Sequence, residues 1–351
     1  MKKFLHIGGD SRSGGSLLAR LFDGHPEVPS YPFENEFFEE RNGSLINFSA
    51  FRESANPSDI EKQEVVNKIR KFGKDLLQTK QRYGTDDSKF DYTQFREGLA
   101  SMVSKEMSDQ EIYDCVHENF FQVFENSNIT SAAAISNHCS RTFAADLKQF
   151  FSTFEDGYFI HTIREPKAVT ASLKNYSFFA TGKKPDLIPP NFIDLSIDRW
   201  LLAACMAVKN RKQFGNRYLI VLYEDLIFND KQTLEGICNK INLNFNEGML
   251  VPTFGNKVWG GNSSFGKMPA KVSSQNLEKY KEVLCKEEQD KVDAVLLEIY
   301  KAFDGKLTDD EIISNIELAI NNRMISSVIG STDLHQQFNG IYTRMREMQI
   351  R

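Results

Sequence analysis

The sequence predicts an α/β fold: a phosphate-loop-like central parallel sheet flanked by helices, with a helical insertion and a helical C-terminal region. Three observations predict it. The chain opens on a short apolar run at 4–7, then a glycine-rich stretch at 8–15, then a helical segment at 16–24. Short apolar runs recur at 132–135, 158–163 and 218–222, separated by helical patterns, and that alternation predicts parallel strands covered on both faces. The block from 57 to 125 lacks strand signals and keeps helical periodicity.

Taken in order, the first helix is stopped by Gly24-His25-Pro26, and residues 31–51, rich in Phe and Glu without a clean period, predict a loop-dominated segment near the site. Ser58 with Glu61 and Ser108 with Glu111 have capping-box spacing. Ile60, Val65, Ile69, Phe72 and Leu76 share one helical face, as do Ile112, Val116, Phe120 and Val123. A helix separates the strands at 132–135 and 158–163, and Pro166 sits where the next helix begins. Helices are predicted at 198–214 and 231–241, with a strand at 218–222, and the chain is mostly helical after 262. One domain, 1–351, accommodates all of this. Its core is at about 1–50 and 130–265, the helical insertion at about 55–128, and the C-terminal extension at about 266–351.

Of 351 residues, 40% are apolar and 26% charged, a globular composition. The net charge of −5 argues against nucleic acid as the main partner, while leaving room for a local basic pocket. Cys115, Cys139, Cys205, Cys238 and Cys285 are scattered singly, which predicts reduced thiols, a cytoplasmic location and no zinc site. No run approaches the ~20 apolar residues of a membrane span, and the opening apolar run is too short for a signal peptide.

Residues 9–16, Gly-Asp-Ser-Arg-Ser-Gly-Gly-Ser, have Walker A spacing with Gly15 in the lysine position. Between a strand and a helix, such a loop offers backbone amides and a helix N-terminus to an anion; an ordinary Gly/Ser turn has the same composition. A triphosphate-cleaving kinase or ATPase needs the missing lysine, so that alternative, with Asp225 as a magnesium-holding acid, is disfavoured. The loop's own cation is Arg12.

Arg12-Ser13-Gly14-Gly15-Ser16-Leu17-Leu18 through His25-Pro26 resembles the 5′-phosphosulfate loop of sulfotransferases that use 3′-phosphoadenosine 5′-phosphosulfate (PAPS), with Gly15 replacing a threonine. Residues 158–166, ending Ile163-Arg164-Glu165-Pro166, with Ser172 eight residues after the arginine, resemble the same family's 3′-phosphate motif. An arginine there offers a forked, permanent charge, although pairing with Glu165 is the structural alternative. Tyr223-Glu224-Asp225-Leu226, with Trp200 before it, resembles a further family segment, and residues 258–265, including Gly261, Asn262 and Ser263, resemble a late loop over the nucleotide. Arg12 makes the tyrosylprotein and carbohydrate branches closer than the cytosolic phenol type.

The resemblance implies transfer of a sulfuryl group from PAPS to a hydroxyl acceptor, with 3′,5′-ADP as product and no metal. The acceptor class is a carbohydrate, phenol, lipid or other small molecule. It implies binding by Arg12, Ser13, Gly14, Gly15, Ser16, Leu17, Arg164, Ser172, Tyr223, Gly261, Asn262 and Ser263. Glu34-Asn35-Glu36-Phe37-Phe38 reproduces the Glu-x-x-Phe-Phe of carbohydrate members, which implies Glu34 as general base, Glu36 as second choice, and Arg12 as the charge-stabilising partner. Solvated acids in an acidic stretch, or His25 as base, are the alternatives, and a non-catalytic nucleotide-binding member is the remaining one. Phe37, Phe120 and Phe178 are expected either to shape the acceptor pocket or to belong to the core.

Overall fold

The structure is a computed structural model that describes residues 2–34, 91–104, 106–125, 132–138, 147–180, 188, 190–255, 257–261, 263–265 and 272–323. Five parallel strands form its centre: β1 (Lys3–Gly9), β2 (Ser30–Glu34), β3 (Ala134–His138), β4 (Gly157–Ile163) and β5 (Tyr218–Leu222), in the order β2-β3-β1-β4-β5. β1 is paired on both sides, with Lys3 opposite Ala134 and Gly9 opposite Thr162. The chain steps to one side of β1 first and to the other afterwards. In open α/β sheets the crevice beyond the C-terminal strand ends at such a reversal is the usual ligand site.

Alternate residues of the strands feed opposite layers. Phe4, Phe159 and Tyr218 join a cluster with α2 (Tyr92–Met102), α3 (Asp109–Glu125) and α4 (Leu147–Thr153). Leu5, Ile7, Ile160 and Leu219 join α1 (Gly15–Phe22), with α7 (Tyr223–Phe228) and α8 (Asp230–Lys240). Burial on both faces is why these strands read as continuous apolar runs. A third cluster unites α5 (Pro166–Ala180) and α6 (Phe192–Phe214) with α10 (Lys286–Lys301) and α11 (Asp309–Asn322), so the C-terminal helices pack on the sheet's own helices. A small hairpin of β6 (Thr253–Phe254) and β7 (Lys257–Val258), and the short α9 (Tyr280–Val283), complete the elements.

The capping box at α3 is formed: Ser108 N–H donates to Glu111 at 2.7 Å, and Glu111 N–H to Ser108 Oγ at 3.3 Å. Pro166 opens α5, and the Glu165 carboxylate caps it by accepting from Ala168 N–H at 2.7 Å. The Ser58/Glu61 box and its helical face lie outside the described residues. Two expectations are corrected. Residues 31–34, expected in a loop-dominated segment, belong to the edge strand β2, and an edge is the place in a sheet where a proline is tolerated. The α6 helix begins at Phe192 rather than 198, because its first turns bury Phe192, Ile193, Leu195 and Ile197 on nearly all sides and show no period. Phe120 is core, packed on Tyr31 with ring centres 4.8 Å apart. Phe37 and the Phe178 side chain lie outside the described residues.

Among the described residues no helix is long and apolar enough to cross a membrane, and Cys115, Cys205, Cys238 and Cys285 are free thiols. Cys139 lies outside them.

Three histidines on or against the sheet are fully buried. Burial lowers His6 and His117 to about 4 and His161 to about 3, so all are neutral near pH 7. Below pH ~6.5 the unfolded chain takes up these protons and the folded one does not, so each histidine removes up to ~1.4 kcal/mol of stability per pH unit. Asp114, raised to about 6 by burial, acts in the opposite sense between pH ~6 and ~4. The Glu165 carboxyl, also raised by burial, acts in the same sense as Asp114, and three histidines against these two carboxyls give a net loss. The unfolding temperature is expected to fall steadily from pH 6.5 to 4.5 and to fall less in His6→Phe; a flat profile contradicts the neutral assignment.

Candidate functional site

The first wall of the site is the turn between β1 and α1. Gly9 lies tight against β4: a Cβ there would stand 2.5 Å from Thr162 Oγ1 and 2.7 Å from its carbonyl oxygen. Asp10 to Gly14 then turn back into α1, with Ser13 N–H donating to the Asp10 carbonyl at 3.1 Å. Arg12 (φ 72°) and Gly14 (φ 102°) both hold left-handed backbone. For arginine that conformation is disfavoured and persists only where its surroundings fix it. The amides of Gly15, Ser16 and Leu17 open α1, and a helix N-terminus favours an anion.

Gly14 is required for a second reason. A Cβ there would meet Tyr223 Cδ2 at 2.2 Å, so the loop rests directly on that ring. The same ring carries the Arg164 guanidinium, 4.5 Å from its centre. Tyr223 begins α7 just past β5, and burial raises its phenol above the ordinary value.

Arg164 follows β4 and is 7% exposed. It donates through Nη1 to the Arg12 carbonyl at 3.2 Å and through Nη2 to the Asn276 carbonyl at 3.4 Å, while Nε has no partner. Among the described residues no carboxylate pairs with it. Glu165 is spent on the α5 cap and on Lys167 at 3.8 Å, and burial raises its carboxyl. The Arg164 carbonyl in turn accepts from Trp200 Nε1 at 3.0 Å.

Ser172, two turns into α5 and buried, accepts from Arg12 Nε at 2.9 Å. It also contacts Ser264 Oγ at 3.3 Å, and Asn175 Nδ2 donates to the Ser264 carbonyl at 2.5 Å. The late loop therefore docks on α5. Asn276 Nδ2 donates to Ser263 Oγ at 2.8 Å, and Gly261 (φ 82°) supplies the bend. Arg12, Ser16, Arg164, Ser172, Tyr223, Gly261 and Ser263 line one open cleft. Gly14, Gly15 and Leu17 line it too, and Ser13 is buried in the turn beneath them.

Glu34 ends β2 opposite His138 of β3, on the same strand-end edge as the cleft; of its side chain nothing is described. Glu36 and Asn262 lie outside the described residues. His25 is committed elsewhere: Nδ1 accepts from Glu27 N–H at 3.1 Å, so Nε2 carries the proton and donates to the Asn244 carbonyl at 2.7 Å. Asp225 is exposed and does not line the cleft. Among the described residues no group of His, Cys, Asp and Glu is arranged to hold a metal.

Two features went unread in the sequence. Asn276 and Ser273 line the cleft, and nothing local in the chain marks them. Asp10 forms a buried fork with Arg199 of α6, Nε donating to its two carboxylate oxygens at 2.9 and 2.7 Å. The missed signal is a charged residue set among Ile197, Trp200, Leu201 and Leu202, which demands a buried partner. Glu224 fixes the strand ends from behind, accepting from Glu165 N–H at 3.1 Å and from Tyr300 Oη at 2.6 Å, so that burial and this carboxylate raise the Tyr300 phenol.

Comparison with known proteins finds three solved structures similar to this chain. The sulfotransferase domain of the Synechococcus PCC 7002 olefin synthase is 17% identical, with TM-score 0.48, covering 84% of this chain and 94% of that one. The sulfotransferase domain from the curacin biosynthetic pathway is 16% identical, with TM-score 0.49 and coverage of 85% and 98%. The sulfotransferase from Alicyclobacillus acidocaldarius is 12% identical, with TM-score 0.36 and coverage of 85% and 96%. No curated protein sequence matches the chain. The model of the sulfotransferase family matches residues 5–247, more than half of the chain and every strand of the central sheet. The chain belongs to the sulfotransferase family.

Proposed function

We propose that this protein transfers the sulfuryl group of PAPS to a hydroxyl of a small-molecule or glycan acceptor, releasing 3′,5′-ADP. The observation that carries the reading is Arg164, a buried guanidinium on the cleft whose bonds go to carbonyl oxygens and whose Nε is unbonded. Burying a cation without a counter-charge costs several kcal/mol, so such a site is stabilised by an arriving anion. Joined to it through the Arg12 carbonyl is a loop of amides at a helix N-terminus, itself an anion site. Two anion subsites in one cleft fit a nucleotide phosphorylated at both 3′ and 5′ positions.

PAPS brings a sulfur activated by its bond to phosphate. The residues do the rest. Arg164 and Ser172 hold the 3′-phosphate. Arg12, Ser13, Ser16 and the amides of Gly14, Gly15 and Leu17 hold the 5′ group and absorb the charge that develops on its departing oxygen. Tyr223 supplies a ring face to the nucleotide, and Gly261, Asn262 and Ser263 close over it. Glu34, at the strand-end edge of β2, takes the proton of the acceptor hydroxyl, with Glu36 as the alternative base. The scheme needs no metal. The acid that a magnesium-dependent kinase would require, Asp225, is turned to solvent, which counts against that alternative.

Labelled PAPS incubated with sugars, phenols, lipids and peptides is expected to label one class; calorimetry is expected to detect 3′,5′-ADP binding. Binding without any transfer supports a non-catalytic member instead. Glu34→Gln is expected to lower kcat by about 10²- to 10⁴-fold and to leave the Kd for 3′,5′-ADP unchanged. Full activity in that variant removes Glu34 from the mechanism. Arg164→Lys loses the fork and is expected to weaken 3′,5′-ADP at least about tenfold while changing 5′-AMP little; equal losses for both place the 3′-phosphate elsewhere.

A further inference from the structure

Both anion subsites hang from one helix. Arg199 and Trp200 are consecutive residues of α6, and each holds a different half of the cleft. Arg199, 3% exposed, grips the Asp10 carboxylate as a fork, and Asp10 is the first residue of the phosphate loop. Trp200, 4% exposed, donates through Nε1 to the carbonyl of Arg164. The helix is itself immobilised: Trp200 packs edge-on to Tyr300 of α10, with centres 6.3 Å apart, and α6, α10 and α11 share one core.

We propose that the Arg199–Trp200 pair is a positioning clamp that sets the distance between the phosphate loop and Arg164, and thereby the nucleotide's fit. This rests on the PAPS reading. Arg199 has a second effect. Asp10 lines the cleft, and an unpaired carboxylate there would repel the 5′ phosphate; the guanidinium neutralises it and fixes the loop at one stroke. Trp200 works through a carbonyl, so it leaves the Arg164 guanidinium free to turn its charge to the ligand. Arg164 closes the frame by donating to the Arg12 carbonyl, so a shift on either side is felt on the other.

The two residues predict different signatures, read by calorimetry on the full chain with 3′,5′-ADP and 5′-AMP. Trp200→Phe keeps the packing and removes the donor; the preference for 3′,5′-ADP over 5′-AMP is expected to fall about tenfold, because only the Arg164 side loosens. Arg199→Lys keeps the charge and loses the fork; both ligands are expected to weaken about tenfold with their ratio preserved. If single removal of Arg199 prevents folding, the double variant Asp10→Asn with Arg199→Met removes both buried charges and restores it. That variant is expected to fold, by its thermal transition, and still to bind both ligands weakly. An unchanged ratio in Trp200→Phe, or wild-type binding in the double variant, overturns the clamp. A wild-type protein that binds no 3′,5′-ADP overturns the PAPS reading beneath it, an outcome distinct from either.

Discussion

The guanidinium of Arg164 sits buried with no carboxylate beside it among the described residues, and its surroundings are built to make that tolerable. Two carbonyl dipoles, from Arg12 and Asn276, and the negative face of the Tyr223 ring each take a share of the charge. Dipoles and a ring face offset desolvation only in part, since a full counter-ion is worth more in a dry site. What remains is a standing attraction for an anion at one defined point.

Holding that cation constrains much else. The parallel pairing of β1 with β4 brings the phosphate loop and Arg164 to the same edge, and the Gly9–Thr162 approach is too close for any side chain at position 9. Tyr223 must lie flat under both Gly14 and Arg164, which excludes a Cβ at position 14. The strand end is gripped from two sides, by Trp200 at the Arg164 carbonyl and by Glu224 at the next amide. Rigidity here has a purpose: a charge loosely held would sample carboxylates nearby, and Glu165 is one residue away, kept occupied by the α5 cap.

The parts of this arrangement that the sequence displays are local. Arg164, Pro166 and Ser172 lie within nine residues of one another, and strand-end, helix-start and helix-face signals place each. The glycine-rich loop is legible for the same reason, as are the strands β1, β3, β4 and β5 and the helices between them. Contacts between distant segments leave no such mark. Asp10 and Arg199 are 189 residues apart, and Asn276 reaches Arg164 from 112 residues away. β2 escaped because Pro32 and a following acidic stretch look like loop, and its place at the sheet's edge, where a proline is tolerated, is not written in the local sequence. The Arg199 case differs in kind: the partner is invisible, but the demand for one is visible in a charge set within an apolar helix.

Position 15 shows how the site departs from the triphosphate loops it resembles in spacing. Lysine stands there in those loops, and glycine here. Space does not impose the glycine, since a Cβ at position 15 would meet the Gly8 carbonyl oxygen at 3.5 Å and Thr162 Oγ1 at 3.6 Å, ordinary contact distances. The cations that line the cleft are instead Arg12, earlier in the loop, and Arg164, just past β4. A lysine on the helix concentrates charge on one end of a phosphate chain, whereas arginines joined through a backbone carbonyl spread it along the cleft. That distribution suits a ligand with phosphates at two separate points and suits a linear triphosphate poorly. The loop keeps the amide cradle common to both kinds of ligand, and the placement of Arg12 and Arg164 separates them.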